Sequence, residues 1–177
     1  PEKVAIGRLI STTASSTRRF ATLSIGSNYG VEKAQPVRGP EGLIGRVVEV
    51  GPTTSRILLL TDADNVVPVM RASDGTPAFA SGIANGLVTI KGISLGVNPF
   101  KKGDIIVTSG NGGLYPPNVP FAIVLAKSAD GAVARPFAEL YLQHHKHFDP
   151  EQEELHFSPR HIPIIFQHIA ILSGYDL

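Results

Sequence analysis

Apolar and polar residues along this chain fall into short runs broken by glycine, proline, aspartate and asparagine, and no helical period is sustained before residue 143. Val4, Ile6, Arg8 and Ile10 share one face of an extended segment, and Val88 and Ile90 alternate with Thr89 and Lys91. The densest pattern lies at 42–71, where apolar runs at 43–50, 57–60 and 66–70 are separated by Gly51-Pro52-Thr53-Thr54 and Asp62-Ala63-Asp64-Asn65. Val- and Ile-rich runs bounded by turn residues read as strands, and gaps this short read as hairpin loops. The stretch therefore predicts a three-stranded antiparallel meander. Further strands are expected around 20–25, 105–107, 121–126 and 132–142, giving roughly eleven at barrel-like spacing. The fold class is all-β, with bulges expected at Gly45 and Gly92.

Composition narrows this picture only in places. The chain has 18 Gly and 14 Pro in 177 residues, yet 42% of it is hydrophobic, which suits a turn-rich β protein and not a disordered one. A net charge of +1 leaves no electrostatic footprint for nucleic acid. Residues 1–142 carry net +4 and 143–177 net −3, a gradient too weak to name a partner. With no Cys, disulfides and thiolate chemistry are excluded. No apolar run reaches the roughly 18 residues of a membrane helix.

Two blocks carry a family resemblance. Gly42 to Gly51 (GLIGRVVEVG), followed by SRILLLTD and Val67-Pro68-Val69, is similar to the periplasmic region of the rod shape-determining MreC family. Lys102-Gly103-Asp104, leading to Thr108-Ser109-Gly110 and on to Gly113-Leu114-Tyr115-Pro116, matches that family's second signature at the right distance. Gly26-Ser27, Gly30-Val31 and Pro36-Val37 fit it as well. The resemblance covers about residues 4–142. It implies two small antiparallel β-barrels, here expected to be 1–40 with 93–142 as one discontinuous barrel and 41–92 as the other, with 143–177 an added tail. It also implies a non-enzymatic scaffold of the cell-elongation machinery that governs cell shape and peptidoglycan synthesis through protein–protein interaction. The implied partners are itself, as a dimer or filament, the elongation penicillin-binding transpeptidase, and a companion membrane protein of the complex. The implied location is the periplasm, on an N-terminal inner-membrane helix that precedes the present sequence. The rivals are a secreted β-barrel hydrolase and a peptidoglycan-binding module.

Residue by residue, the expected catalytic, cofactor and metal sites are none. Ser109 lacks a base, because no His lies upstream of His144. The Thr108 and Ser109 hydroxyls are expected to satisfy local backbone groups. His144, His145 and His147 lack the spacing of a helical metal site. Asp62, Asp64 and Asn65 lack the glycine and late glutamate of a calcium loop and read as an Asx turn. Gly110-Asn111-Gly112-Gly113 lacks the Lys-Ser/Thr and helix of a phosphate cradle. Arg18-Arg19 and Lys101-Lys102 read as solvated pairs. A peptidoglycan site would need an aromatic platform, and 12 Phe and Tyr with no Trp make a thin one.

Function is thus expected in surfaces. Leu114 and Tyr115, after three glycines and before Pro116-Pro117, are candidates for a partner contact, the alternative being a Tyr lying flat over a barrel end. In the tail, 162–172 holds seven Ile, Leu or Phe in eleven residues. Ile162, Ile165, Phe166 and Ile169 share one face of a helix, although the composition suits a strand equally well. Such a segment needs cover, and contact with a neighbouring copy is expected.

Overall fold

The computed structural model describes residues 4–14, 18–94, 96–138 and 169–172. Its strands are β1 (Val4–Gly7), β2 (Leu9–Ala14), β3 (Arg19–Leu23), β4 (Pro36–Arg38), β5 (Leu43–Val50), β6 (Ser55–Leu59) and β7 (Val67–Arg71). They continue with β8 (Pro77–Gly82), β9 (Val88–Gly92), β10 (Ile105–Thr108), β11 (Pro120–Lys127), β12 (Gly131–Pro136) and β13 (Ile169–Leu172). Two 3-10 turns, Ser27–Tyr29 and Ala84–Gly86, lie between them. Every strand pairing is antiparallel. The all-β reading holds.

Strands β7 to β12 close a barrel in the order β10-β11-β12-β9-β8-β7. The remaining seven form a second sheet, β1-β13-β4-β5-β6-β3-β2. Its edges β1 and β2 are separated in sequence by Arg8 alone, so the sheet curls round until the two halves of one segment meet end to end. Ser24 N–H donates to the Arg8 carbonyl at 2.9 Å and Arg8 N–H to Ser24 Oγ at 3.0 Å, fixing that corner.

This grouping corrects two expectations. β5 and β6 form the expected hairpin, but β6 does not pair with β7, which joins β8 and β10 instead. The meander ends at the 62–65 turn, because that turn's side chains bind the two units and do not close a hairpin. The expected partition at 40/41 and 92/93 also differs from the observed one. A cut after Gly92 would separate β9 from β12, whose register runs Gly131↔Lys91 to Ala134↔Val88. A bulge falls beside Gly45, where the β4–β5 register shifts between Val37 and Arg38, whereas Gly92 pairs in register with Ala78.

Strand alternation builds two cores. Val67, Val69, Ala78, Ala80, Val88, Ile90, Ile106, Phe121, Val124 and Ala134 fill the barrel with Phe100 and Tyr115. Leu23, Ile25, Val37, Ile44, Val47, Ile57 and Leu59 fill the curled sheet. Each large aliphatic side chain so buried contributes about 1.5–3 kcal/mol. Two neighbours break ranks: Leu43, beside Ile44, and Leu60, beside Leu59, pack into the barrel core. The units are joined through shared packing, not through a linker.

Candidate interaction surfaces

The joint between the units is held by buried polar side chains. Asn65 is fully buried, donates from Nδ2 to the Leu58 and Leu59 carbonyls at 3.1 and 3.2 Å, and accepts from Tyr115 Oη at 3.1 Å. Asp62, 1% exposed, accepts from Arg19 N–H at 2.7 Å and from Asp64 N–H at 2.9 Å, the expected Asx turn. Gly82 N–H donates to the Asp62 carbonyl at 3.2 Å, and a Cβ on Gly82 would lie 2.1 Å from the Thr61 carbonyl oxygen. Arg18 pairs with Asp62 and Asp64 and lies over the Phe20 ring, so it is not a simple solvated charge.

Tyr115 is therefore not an exposed contact. Its side chain is buried to 2% in the barrel core, with its hydroxyl aimed at Asn65, and burial pushes its pKa up to about 12, outweighing the nearby Arg46 charge. Burial of the ring with its hydroxyl on Asn65 overrides the expectation that Leu114 and Tyr115 together form a partner contact on the loop. Leu114 remains 38% exposed. Ile162, Ile165 and Phe166 lie outside the described residues, as do His144, His145 and His147. Ile169 opens β13, which pairs with β1 and β4 of its own chain. The chain's return to the first unit is also marked by Ala138, buried in the curled sheet's core. Within the single chain, 169–172 is covered by pairing with β1 and β4.

The TSG loop serves structure. Thr108 Oγ1 donates to the Pro116 carbonyl at 2.5 Å and accepts from Val119 N–H at 2.9 Å. Ser109 Oγ accepts from Asn111 N–H at 3.2 Å. Both hydroxyls satisfy local backbone groups, as expected. At the opposite loop, Arg71 donates to Asp74, Asp104 and the Pro99 carbonyl and faces the Phe100 ring. The Asp74 carboxylate raises the guanidinium's pKa above its ordinary value, and Arg71 in turn holds Asp74 well below the usual carboxylate range. No group of three or more His, Cys, Asp or Glu able to hold a metal occurs among the described residues.

A surface the sequence reading missed lies on the barrel's outside. Alternation that turns Val67 and Val69 inward turns Val66, 56% exposed, and the half-buried Pro68 and Met70 outward. On β8 it turns Ala78 and Ala80 inward and Pro77 and Phe79, 46% exposed, outward. The register sets Pro68 opposite Phe79 and Met70 opposite Pro77. Ile83, 37% exposed, continues the β8 row. The signal was available in 66–70 and 77–83, where every outward position except Ser81 is apolar.

The arrangement defines an all-β module whose hydroxyl, carboxylate and glycine motifs hold turns, and whose unused chemistry is an exposed apolar barrel face. The family model "Rod shape-determining protein MreC, barrel core" matches residues 9–150, and the chain belongs to that family. The cell shape-determining protein MreC of Caulobacter vibrioides is 34% identical over 131 residues, covering 74% of this chain and 37% of that relative. The chain spans about a third of the length of the curated relatives it matches. The crystal structure of MreC from Pseudomonas aeruginosa superposes with a TM-score of 0.67 at 33% identity, over 76% of this chain and 90% of that one. A structure described as a complex between penicillin-binding protein (PBP2) and MreC from Helicobacter pylori has the same fold, with a TM-score of 0.58 at 14% identity over 97% and 99% of the two chains.

Proposed function

We propose that this chain is the periplasmic part of a non-enzymatic scaffold that governs bacterial cell shape by binding the elongation penicillin-binding transpeptidase and further copies of itself. The observation that carries the reading is family membership across residues 9–150. The Helicobacter pylori complex supports the class of partner. The exposed face of Val66, Phe79 and Ile83 supports the mode of action, since an apolar patch on a closed barrel offers desolvation energy without any strand edge to pair. The inner-membrane anchor and the companion membrane protein implied by the resemblance belong to the same reading.

The experiment is to measure binding of the full chain to the soluble region of its elongation transpeptidase by biolayer interferometry, with sedimentation analysis alongside. Val66→Asp with Phe79→Asp is expected to weaken transpeptidase binding about tenfold or more, because a charge must then be buried at the contact. Both positions are exposed, so the melting temperature should hold. Unchanged affinity with an intact fold would remove this face from the reading, and no binding by the parent chain would overturn the partner assignment.

A further inference from the structure

The curled sheet is completed by a strand that arrives from far along the chain. β13 lies between β1 and β4, with Val4↔Leu172, Ala5↔Ile171, Ile6↔Ala170 and Gly7↔Ile169 on one side. On the other side only Ala170↔Arg38 and Ile171↔Val37 are paired. Without β13, β1 and β4 would face each other across a gap one strand wide, each with unpaired backbone groups. Such a gap is a ready strand-acceptor, and its ligand is an extended segment whose backbone supplies the affinity.

We propose that this slot is exchangeable, so that β13 of one copy seats between β1 and β4 of a second copy. The proposal rests on the self-association in the reading above and supplies its contact. Three observations carry it. The strand is short and its ladder to β4 is two residue pairs, so local opening is a low-cost event. Thirty residues, 139–168, separate buried Ala138 from Ile169, and a segment of that length spans at most about 100 Å, enough to reach a neighbouring molecule. A second copy offers the same slot and the same strand, so the pairing is identical within and between chains. The difference is entropic. A connection of this length holds the strand at an effective concentration on the order of millimolar, so exchange becomes comparable with self-pairing where copies crowd to that level, as they do in an assembly.

The chain's lack of cysteine makes a clean test. Ile6 is 53% exposed, so Ile6→Cys opens no core, and facing residues of an antiparallel pair lie about 4.5–5.5 Å apart. Full-length Ile6→Cys and Ala170→Cys chains, one carrying a size tag, are mixed at about 1 mM, the effective concentration estimated above, and treated briefly with a short bis-maleimide. Val97→Cys, at a position 93% exposed on the loop after β9, mixed with Ala170→Cys sets the collisional background. Exchange predicts a hetero-dimer several-fold above background and rising with concentration, while the double variant on one chain links within itself when dilute. A mixed yield equal to background, with the double variant linking normally, overturns exchange. Failure of both overturns it too, by removing the β1–β13 pairing. Sedimentation of the same samples separates the levels: association without linkage sinks exchange alone, whereas monomers throughout sink exchange and self-association together.

Discussion

Replacing Tyr115 with Phe removes one oxygen from the joint between the two units and tests how that joint is held. Asn65 is fully buried, and its Oδ1 loses the Tyr115 donor. An acceptor so stranded costs about 1–3 kcal/mol. The ring itself stays packed, so no cavity adds to the loss. In a chain of this size that corresponds to a melting temperature lower by roughly 2–4 °C per kcal/mol. The alkaline limb gives a second, independent readout. The folded state keeps Tyr115 neutral up to about 12, against about 10 for an unfolded tyrosine. A raised folded value means that the stabilisation is complete below pH 10 and is lost as pH rises through 12. Two pH units amount to about 3 kcal/mol. Urea unfolding of parent and Tyr115→Phe from pH 7 to 11.5 should therefore show the parent ahead at neutral pH, with the gap closing steadily above pH 10. Other tyrosines and lysines titrate in both chains and cancel in the difference. Equal stability at pH 7 would refute the buried hydrogen bond, and a gap that stays constant through pH 11.5 would refute the burial that raises the phenol's pKa.

Gly45→Ala places a methyl 2.1 Å from the Leu58 carbonyl oxygen in the β5–β6 ladder, and the required backbone shift should cost about 1–3 kcal/mol by chemical denaturation. Arg71→Met keeps the stem's packing but unties Asp74, Asp104 and the Pro99 carbonyl, with an expected loss of about 2 kcal/mol and faster hydrogen exchange in 98–104. The pair also sets an acid limb. Because Arg71 depresses Asp74, its stabilisation is present above the unfolded carboxylate's pKa of about 4 and fades as pH falls through the lower folded value, so Asp74→Asn should flatten the parent's stability decline below about pH 4.

The strands were legible in the sequence because alternation is a local property. Val88 and Ile90 against Thr89 and Lys91 declare two faces without reference to any partner. Partnership was not legible. Asp62 to Asn65 has the length and composition of a hairpin loop, and nothing local distinguishes a turn that folds back from one that crosses to a second unit. What distinguishes it is Asn65, whose amide reaches β6 on one side and Tyr115, fifty residues on, at the other. Tyr115 was hard to place for the same reason. Its neighbours Gly112, Gly113, Pro116 and Pro117 describe a loop faithfully but say nothing of a cavity in a distant part of the chain.

One run in the sequence did carry the missing information. Ile57, Leu58, Leu59 and Leu60 are consecutive and all buried, which a strand with one solvated face cannot achieve. Ile57 and Leu59 face the curled sheet's core, while Leu60 has left the sheet and entered the barrel with Leu43. An unbroken apolar run that ends in an Asx turn is therefore the mark of a strand handing the chain from one core to another. It also explains why no linker composition marks the boundary. A flexible connection would leave Leu43 and Leu60 exposed and the barrel short of two side chains, each worth about 2–5 kcal/mol if replaced by a cavity. Leu43, from the curled sheet's β5, and Leu60, just past its β6, thus complete the barrel's core.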